Sequence, residues 1–171
     1  SLAVSGASLQ GLFRNPLADP ALIGVSSGGA MGAVTAIVLL PAIVIKLELT
    51  EGTAHNIQSF GLPILAMCGA IALTFIIYRV SLVRGRTHVP AMLLTGIAVN
   101  AIGGAFVGIV VTVFATDEQL RTITFWTLGS LSGSNWNNTI ILAVFIIIPA
   151  LMAFRQDRAL NAFLLGEAEA F

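Results

Sequence analysis

The sequence predicts an all-α fold, a polytopic bundle of transmembrane helices, and three observations lead there. Apolar residues make up 57% of the 171 positions and charged residues only 9%, where an ordinary soluble domain carries roughly 25% charge. Mean hydropathy is +0.96. Four apolar runs approach the roughly 20 residues with which a helix crosses a hydrocarbon core, and no strand-like alternation separates them. Lys plus Arg and Asp plus Glu balance at 8 each, so no basic excess points to nucleic acid.

Residues 1–12 read as the end of an earlier apolar helix, with neither an initiator methionine nor the charged start of a signal peptide before them. The other end, LNAFLLGEAEAF, stops in helix-forming sequence without a cap. The expectation is a single transmembrane domain over 1–171, truncated at both ends.

Next comes QGLFRNPLADPALIGVSSGGAMG, from Gln10 to Gly32, a polar turn broken by two prolines between apolar segments. Pro16 and Pro20 each remove a backbone donor and turn the preceding residue away from helix, so the chain unwinds between Asn15 and Pro20. Asn15 and Asp19 suit such a turn because their side chains bond their own backbone. Gly24, Gly28 and Gly32 then recur every fourth residue, a face that another backbone could approach closely.

The first apolar run covers about Leu22–Ile45, the second Phe60–Tyr78, the third Val89–Ala115 and the fourth Ile140–Phe154, extended back toward Trp136 as an interfacial anchor. With the N-terminal piece this makes about five membrane helices, one incomplete. Cys68 lies inside the second run and reads as a packing residue; one cysteine permits no internal disulfide. Basic residues set the orientation. The turn at Arg14, the loop with Arg79, Arg84 and Arg86, and the segment with Arg155 and Arg158 fall on one side, while the opposite loops hold only Lys46 and Arg121. The arginine-rich side is cytoplasmic by the positive-inside rule.

Within the third run Gly96, Asn100, Gly104, Gly108 and Thr112 stand at four-residue spacing, a stripe of small or polar groups on one helix. An amide at Asn100 needs a partner or water inside a bilayer. Two readings are open: a tight packing seam with Asn100 bonded across it, or part of a translocation path. At the cytoplasmic start of this run, Pro90 fits a first helical turn and His88 is a loop histidine with no second ligand at metal spacing, so no metal site is expected.

Asp117 and Glu118 open a short extracytoplasmic helix over about 118–128, with Phe125 and Trp126 as interfacial anchors or as contacts for substrate or a partner. Residues 155–171 form the one substantial cytoplasmic segment. Asn161 can cap a helix, Leu164 and Leu165 give it an apolar face, and Gly166 breaks it or admits a close backbone. This piece either lies in the interface or docks into a groove of a soluble partner.

No nucleotide-binding, metalloprotease, nucleophile-elbow or paired-carboxylate motif occurs. The chain is therefore expected to be no enzyme, and energy from ATP would come from another subunit. Asp and Glu are confined to loops, which leaves an ion-coupled secondary transporter without its usual intramembrane carboxylate.

These residues resemble the permease subunits of bacterial ABC importers for iron-siderophore complexes, haem and cobalamin. The signature turn from Gln10 to Gly32 carries most of the resemblance; MLLTGIAVNAIGGA from Met92, FWTLGSLSG from Phe125 and LNAFLLGEAEA from Leu160 follow in the family's order. By that likeness the chain would be about helices two to six of a ten-helix importer permease. The resemblance implies a homodimer in the bacterial inner membrane with the pathway at its interface. It also implies two ATPase subunits holding ATP and Mg, and a periplasmic or lipoprotein substrate-binding protein. No cofactor is expected on this chain. It further implies that Asn161, Leu164, Leu165, Gly166 and Glu167 belong to a coupling segment seated in the ATPase, that His88, Val89 and Pro90 form a cytoplasmic gate, and that the helix with Gly96 and Gly108 lines the path. The wording QLRTITFWTLGSLSG is most similar to the haem-importing branch.

Overall fold

A computed structural model describes residues 2–13, 19–48, 50–83, 86–87, 89–129 and 136–154. The order is α1 (Leu2–Phe13), a 3-10 turn (Pro20–Ile23), α2 (Val25–Lys46), α3 (Glu51–Val80), β1 (Leu82–Val83), β2 (Arg86–Thr87), α4 (Val89–Phe114), α5 (Asp117–Leu128) and α6 (Trp136–Phe154). The helices fall close to the apolar runs, because a backbone without water must satisfy its own hydrogen bonds. Among the described residues, the one departure from helix and turn is a short antiparallel ladder pairing Leu82 with Thr87 and Val83 with Arg86. Two-residue strands leave no sequence alternation long enough to read.

The chain forms two compact units, residues 1–20 with 130–171, and residues 21–129. In the first, α1 and α6 border a groove of about 680 Å³ that includes Val4, Ser8, Leu9, Ile146 and Pro149. Ser8 Oγ donates back to Val4 O at 2.9 Å within α1.

In the second unit α2 is the hub. It pairs antiparallel with α3 along a strip of glycine: a Cβ on Gly28 would run into the Gly69 carbonyl, and one on Gly32 into that of Leu65. Small residues here replace side-chain interdigitation with backbone proximity, which suits helices that lipid cannot drive together. Gly24 caps α2 with φ 84°, left-handed backbone that only glycine adopts without strain, and a Cβ there would lie 2.5 Å from Ile77 Cδ1. Ile77 and Ser81 are fully buried, and Ser81 Oγ donates to Ile77 O at 2.6 Å, closing α3.

A second cluster brings in α4 and α5. Val34, Ile37 and Val38 of α2 pack with Ile123 of α5, with Leu62, Val107, Val110 and Val111 around them. Thr116 starts α5 with a capping box: its hydroxyl accepts from Gln119 N–H and the Gln119 side chain accepts from Thr116 N–H.

Three helices, Val25–Lys46, Phe60–Val80 and Pro90–Phe114, are long and apolar enough to cross a membrane, and Leu142–Ala153 is a shorter apolar helix. Of the five spans expected, three thus meet the length among the described residues. Ile71 is 66% exposed and Leu94 71% exposed. Such contiguous apolar surface is costly in water and costs nothing against lipid. Cys68 is exposed rather than packed. The α2 backbone meets α3 along the narrow strip at Leu65, Ala66, Gly69 and Ala70, and Cys68 is rotated off that strip.

Candidate functional site

Asn100 is the polar centre of the second unit. Its Nδ2 donates to Ala21 O at 2.8 Å, and its Oδ1 accepts from Ser27 Oγ at 2.7 Å. The first bond fixes the 3-10 turn that follows Pro20; the second ties α4 to the first turns of α2. The Ala21 carbonyl already accepts from Gly24 N–H at 3.3 Å inside the turn, and the Asn100 amide adds a second, shorter bond from a neighbouring helix.

The stripe residues Gly96, Asn100, Gly104 and Gly108 do not share a neighbour. A Cβ on Gly96 would strike the Leu22 carbonyl, so Gly96 and Asn100 face the turn and the start of α2; Gly104 and Gly108 have nothing within 4 Å of theirs. Gly103 takes the place beside α2 instead, where a Cβ would lie 3.2 Å from Met31 Sδ and 3.3 Å from Ser27 Cβ. The single stripe is therefore a seam at its N-terminal half and open surface beyond. The reason is geometric: at 3.6 residues per turn each four-residue step drifts about 40°, so Gly108 sits about 120° around the helix from Gly96.

An open groove of about 610 Å³ runs along this seam, lined among others by Ser26, Ser27, Asn100, Gly103, Gly104 and Trp126. Its side-chain polar groups are hydroxyls, the Asn100 amide and the Trp126 indole N–H, all uncharged. Among the described residues no group of three or more His, Cys, Asp or Glu comes together. Arg79 lies 5.5 Å from the Phe75 ring centroid, a cation–π contact at the arginine-rich end of α3.

Of the signature turn, Asp19 is exposed and Pro20 opens the 3-10 turn; Asn15 and Pro16 lie outside the described residues. Gly24 and Gly28 stand at the α2–α3 contact. Of the residues expected to form a gate, Val89 and Pro90 begin α4 with Pro90 exposed, and His88 lies outside the described residues. Asn161, Leu164, Leu165, Gly166 and Glu167 all lie outside them.

Two residues of the site were not singled out from sequence. Ser27, the partner of Asn100, is one of two adjacent serines with no local cue to distinguish them. Gln119 could have been found in part: Thr116-Asp-Glu-Gln119 has the capping-box spacing.

The FecCD transport family matches residues 1–171. The chain belongs to this family. Among curated FecCD relatives, the hemin transport system permease protein HmuU of Yersinia pestis is 38% identical over 170 residues, covering 99% of this chain and 47% of its own length. The cobalamin import system permease protein BtuC of Halobacterium salinarum is 35% identical over 170 residues, 99% of this chain and 42% of its own. A solved structure of a transporter assigned to the metal-chelate ABC type, inward-facing, superposes with a TM-score of 0.77 at 27% identity, covering 99% of this chain and 49% of that one. The chain thus spans about half the length of the FecCD proteins it matches. Family and spans together make it a multi-pass protein of the cell inner membrane.

Proposed function

We propose that the protein containing this chain is the membrane-spanning permease of an ABC importer, with haem as its cargo. The observation that carries the reading is the FecCD match along the whole chain, in relatives named as permease proteins. The fold is compatible with it: polar groups of the α2–α4 seam are few, uncharged and mutually bonded, as a passive wall for a large cargo requires. Such a wall performs no chemistry, so work must be delivered from outside the membrane. Two ATPase subunits would deliver it through the coupling segment at Leu164, Leu165, Gly166 and Glu167, with Asn161 as cap. His88, Val89 and Pro90 would stand at the inner mouth, and a second copy would complete the path.

Haem is favoured by the wording QLRTITFWTLGSLSG and by 38% identity to a hemin permease. Cobalamin is the second reading, supported by 35% identity to a cobalamin permease. Uptake by cells carrying the full-length protein with its neighbouring transport genes separates them. Accumulation of labelled haem, uncompeted by cobalamin or a ferric siderophore, is the expected result; accumulation of either competitor alone overturns haem.

A further inference from the structure

The proline in α2 and the cap of α5 meet at one side chain. Pro41 has no N–H, so the Ile37 carbonyl four residues earlier lacks the donor that an unbroken helix supplies. Gln119 supplies it from α5: its Nε2 donates to Ile37 O at 3.2 Å and to Val38 O at 3.5 Å. Gln119 Oε1 accepts from Thr116 N–H at 3.0 Å, and Gln119 N–H donates to Thr116 Oγ1 at 3.3 Å. The amide oxygen and the amide nitrogen are thereby both engaged, the oxygen at the start of α5 and the nitrogen across to α2. Beside the contact lies a cavity of about 400 Å³ lined by Leu40, Pro41, Leu62, Glu118 and Thr122 among others. The gap leaves α5 without packing on that flank, and Ile123 and the Gln119 bonds are among the contacts that hold it to α2.

We propose that Gln119 is a positioning residue that anchors α5 to α2 at its internal proline, and so fixes the short helix at the end of the 21–129 unit away from the Leu82–Thr87 ladder. Only its consequence for transport rests on the permease reading. The proline and the glutamine form one device: Pro41 leaves a carbonyl open inside the helix, and Gln119 turns that opening into a contact between helices. A residue that merely capped α5 would be replaceable by glutamate, which serves the same third position of a capping box. An ionised carboxylate has no hydrogen to give to Ile37 or Val38.

The test uses the full-length protein in liposomes with Cys68→Ser and spin labels at Leu128→Cys and Ile45→Cys, both well exposed. Measurement at about pH 8 keeps an introduced glutamate ionised. Gln119→Glu is expected to replace one narrow α2–α5 distance by a broad distribution and to lower the melting temperature. In a Pro41→Ala background, where residue 41 again donates to Ile37 O within α2, the same change is expected to lose most of its effect on melting. An unchanged distance in Gln119→Glu, or an equal loss of melting temperature in both backgrounds, overturns the anchor. Uptake measured on the unlabelled protein is a separate arm: a loosened α5 without any ATP-driven uptake by wild type sinks the permease reading and leaves the anchor standing.

Discussion

Gly28 and Gly69 meet backbone to backbone, with no room for a side chain on either. A Cβ on Gly28 would also come within 2.8 Å of Ala70 Cα, main chain that cannot swing aside. Close approach of this kind sums many weak dispersion contacts along the helix pair, and it is lost as a whole when one point is wedged open. Gly28→Ala is therefore expected to destabilise the full-length protein by about 1–3 kcal/mol, the usual range for forcing a methyl into a filled contact. Thermal unfolding in detergent checks it, with Gly104→Ala as the control whose added Cβ meets nothing and whose melting temperature should hold or rise.

Asn100 of α4 bonds to Ala21 and Ser27, more than seventy positions earlier in the chain, and removing it takes one hydrogen bond from each. Asn100→Leu is expected to cost about 1–3 kcal/mol because the Ala21 carbonyl and the Ser27 hydroxyl lose a partner inside the protein. Ser27→Ala alone should cost less, since the hydroxyl leaves along with the bond. A double-mutant cycle on unfolding should give a coupling of about 0.5–3 kcal/mol between the two positions. Additive losses would show that the two side chains act independently.

The glycines of α4 give a contrast between fold and transport. Gly96→Ala is expected to lower the melting temperature because its Cβ strikes the Leu22 carbonyl, whereas Gly108→Ala should leave it unchanged. If the open half of α4 lines the path, Gly108→Leu should lower uptake in the full-length transporter while melting stays as in wild type. Unaltered uptake in that variant would assign Gly108 to a surface with no role in passage.

Hydropathy made the helices legible because lipid imposes length and backbone closure on every span. It could also place the α2 packing face, since Gly28 and Gly32 are one turn apart and drift little. Over three turns the same spacing misled: Gly104 and Gly108 rotate away, and Gly103, seven residues and about 20° from Gly96, joins the contact. Gln119 was half legible, as a cap. Its bonds to Ile37 and Val38 depend on a residue pair some eighty positions apart, which only the folded chain brings together. The Leu82–Thr87 ladder is too short to announce itself in any pattern.

The central claim is that ATP hydrolysed on partner subunits drives cargo past this chain through the segment at Gly166. Its most direct test is haem uptake into proteoliposomes holding the full-length permease with its ATPase, comparing wild type with Gly166→Trp. The account predicts uptake by wild type that requires hydrolysable ATP. For Gly166→Trp it predicts near-complete loss of uptake and of cargo-stimulated ATPase activity, with normal membrane insertion. Wild-type uptake that continues without ATP on an imposed ion gradient, or full ATP-driven transport by Gly166→Trp, would contradict it.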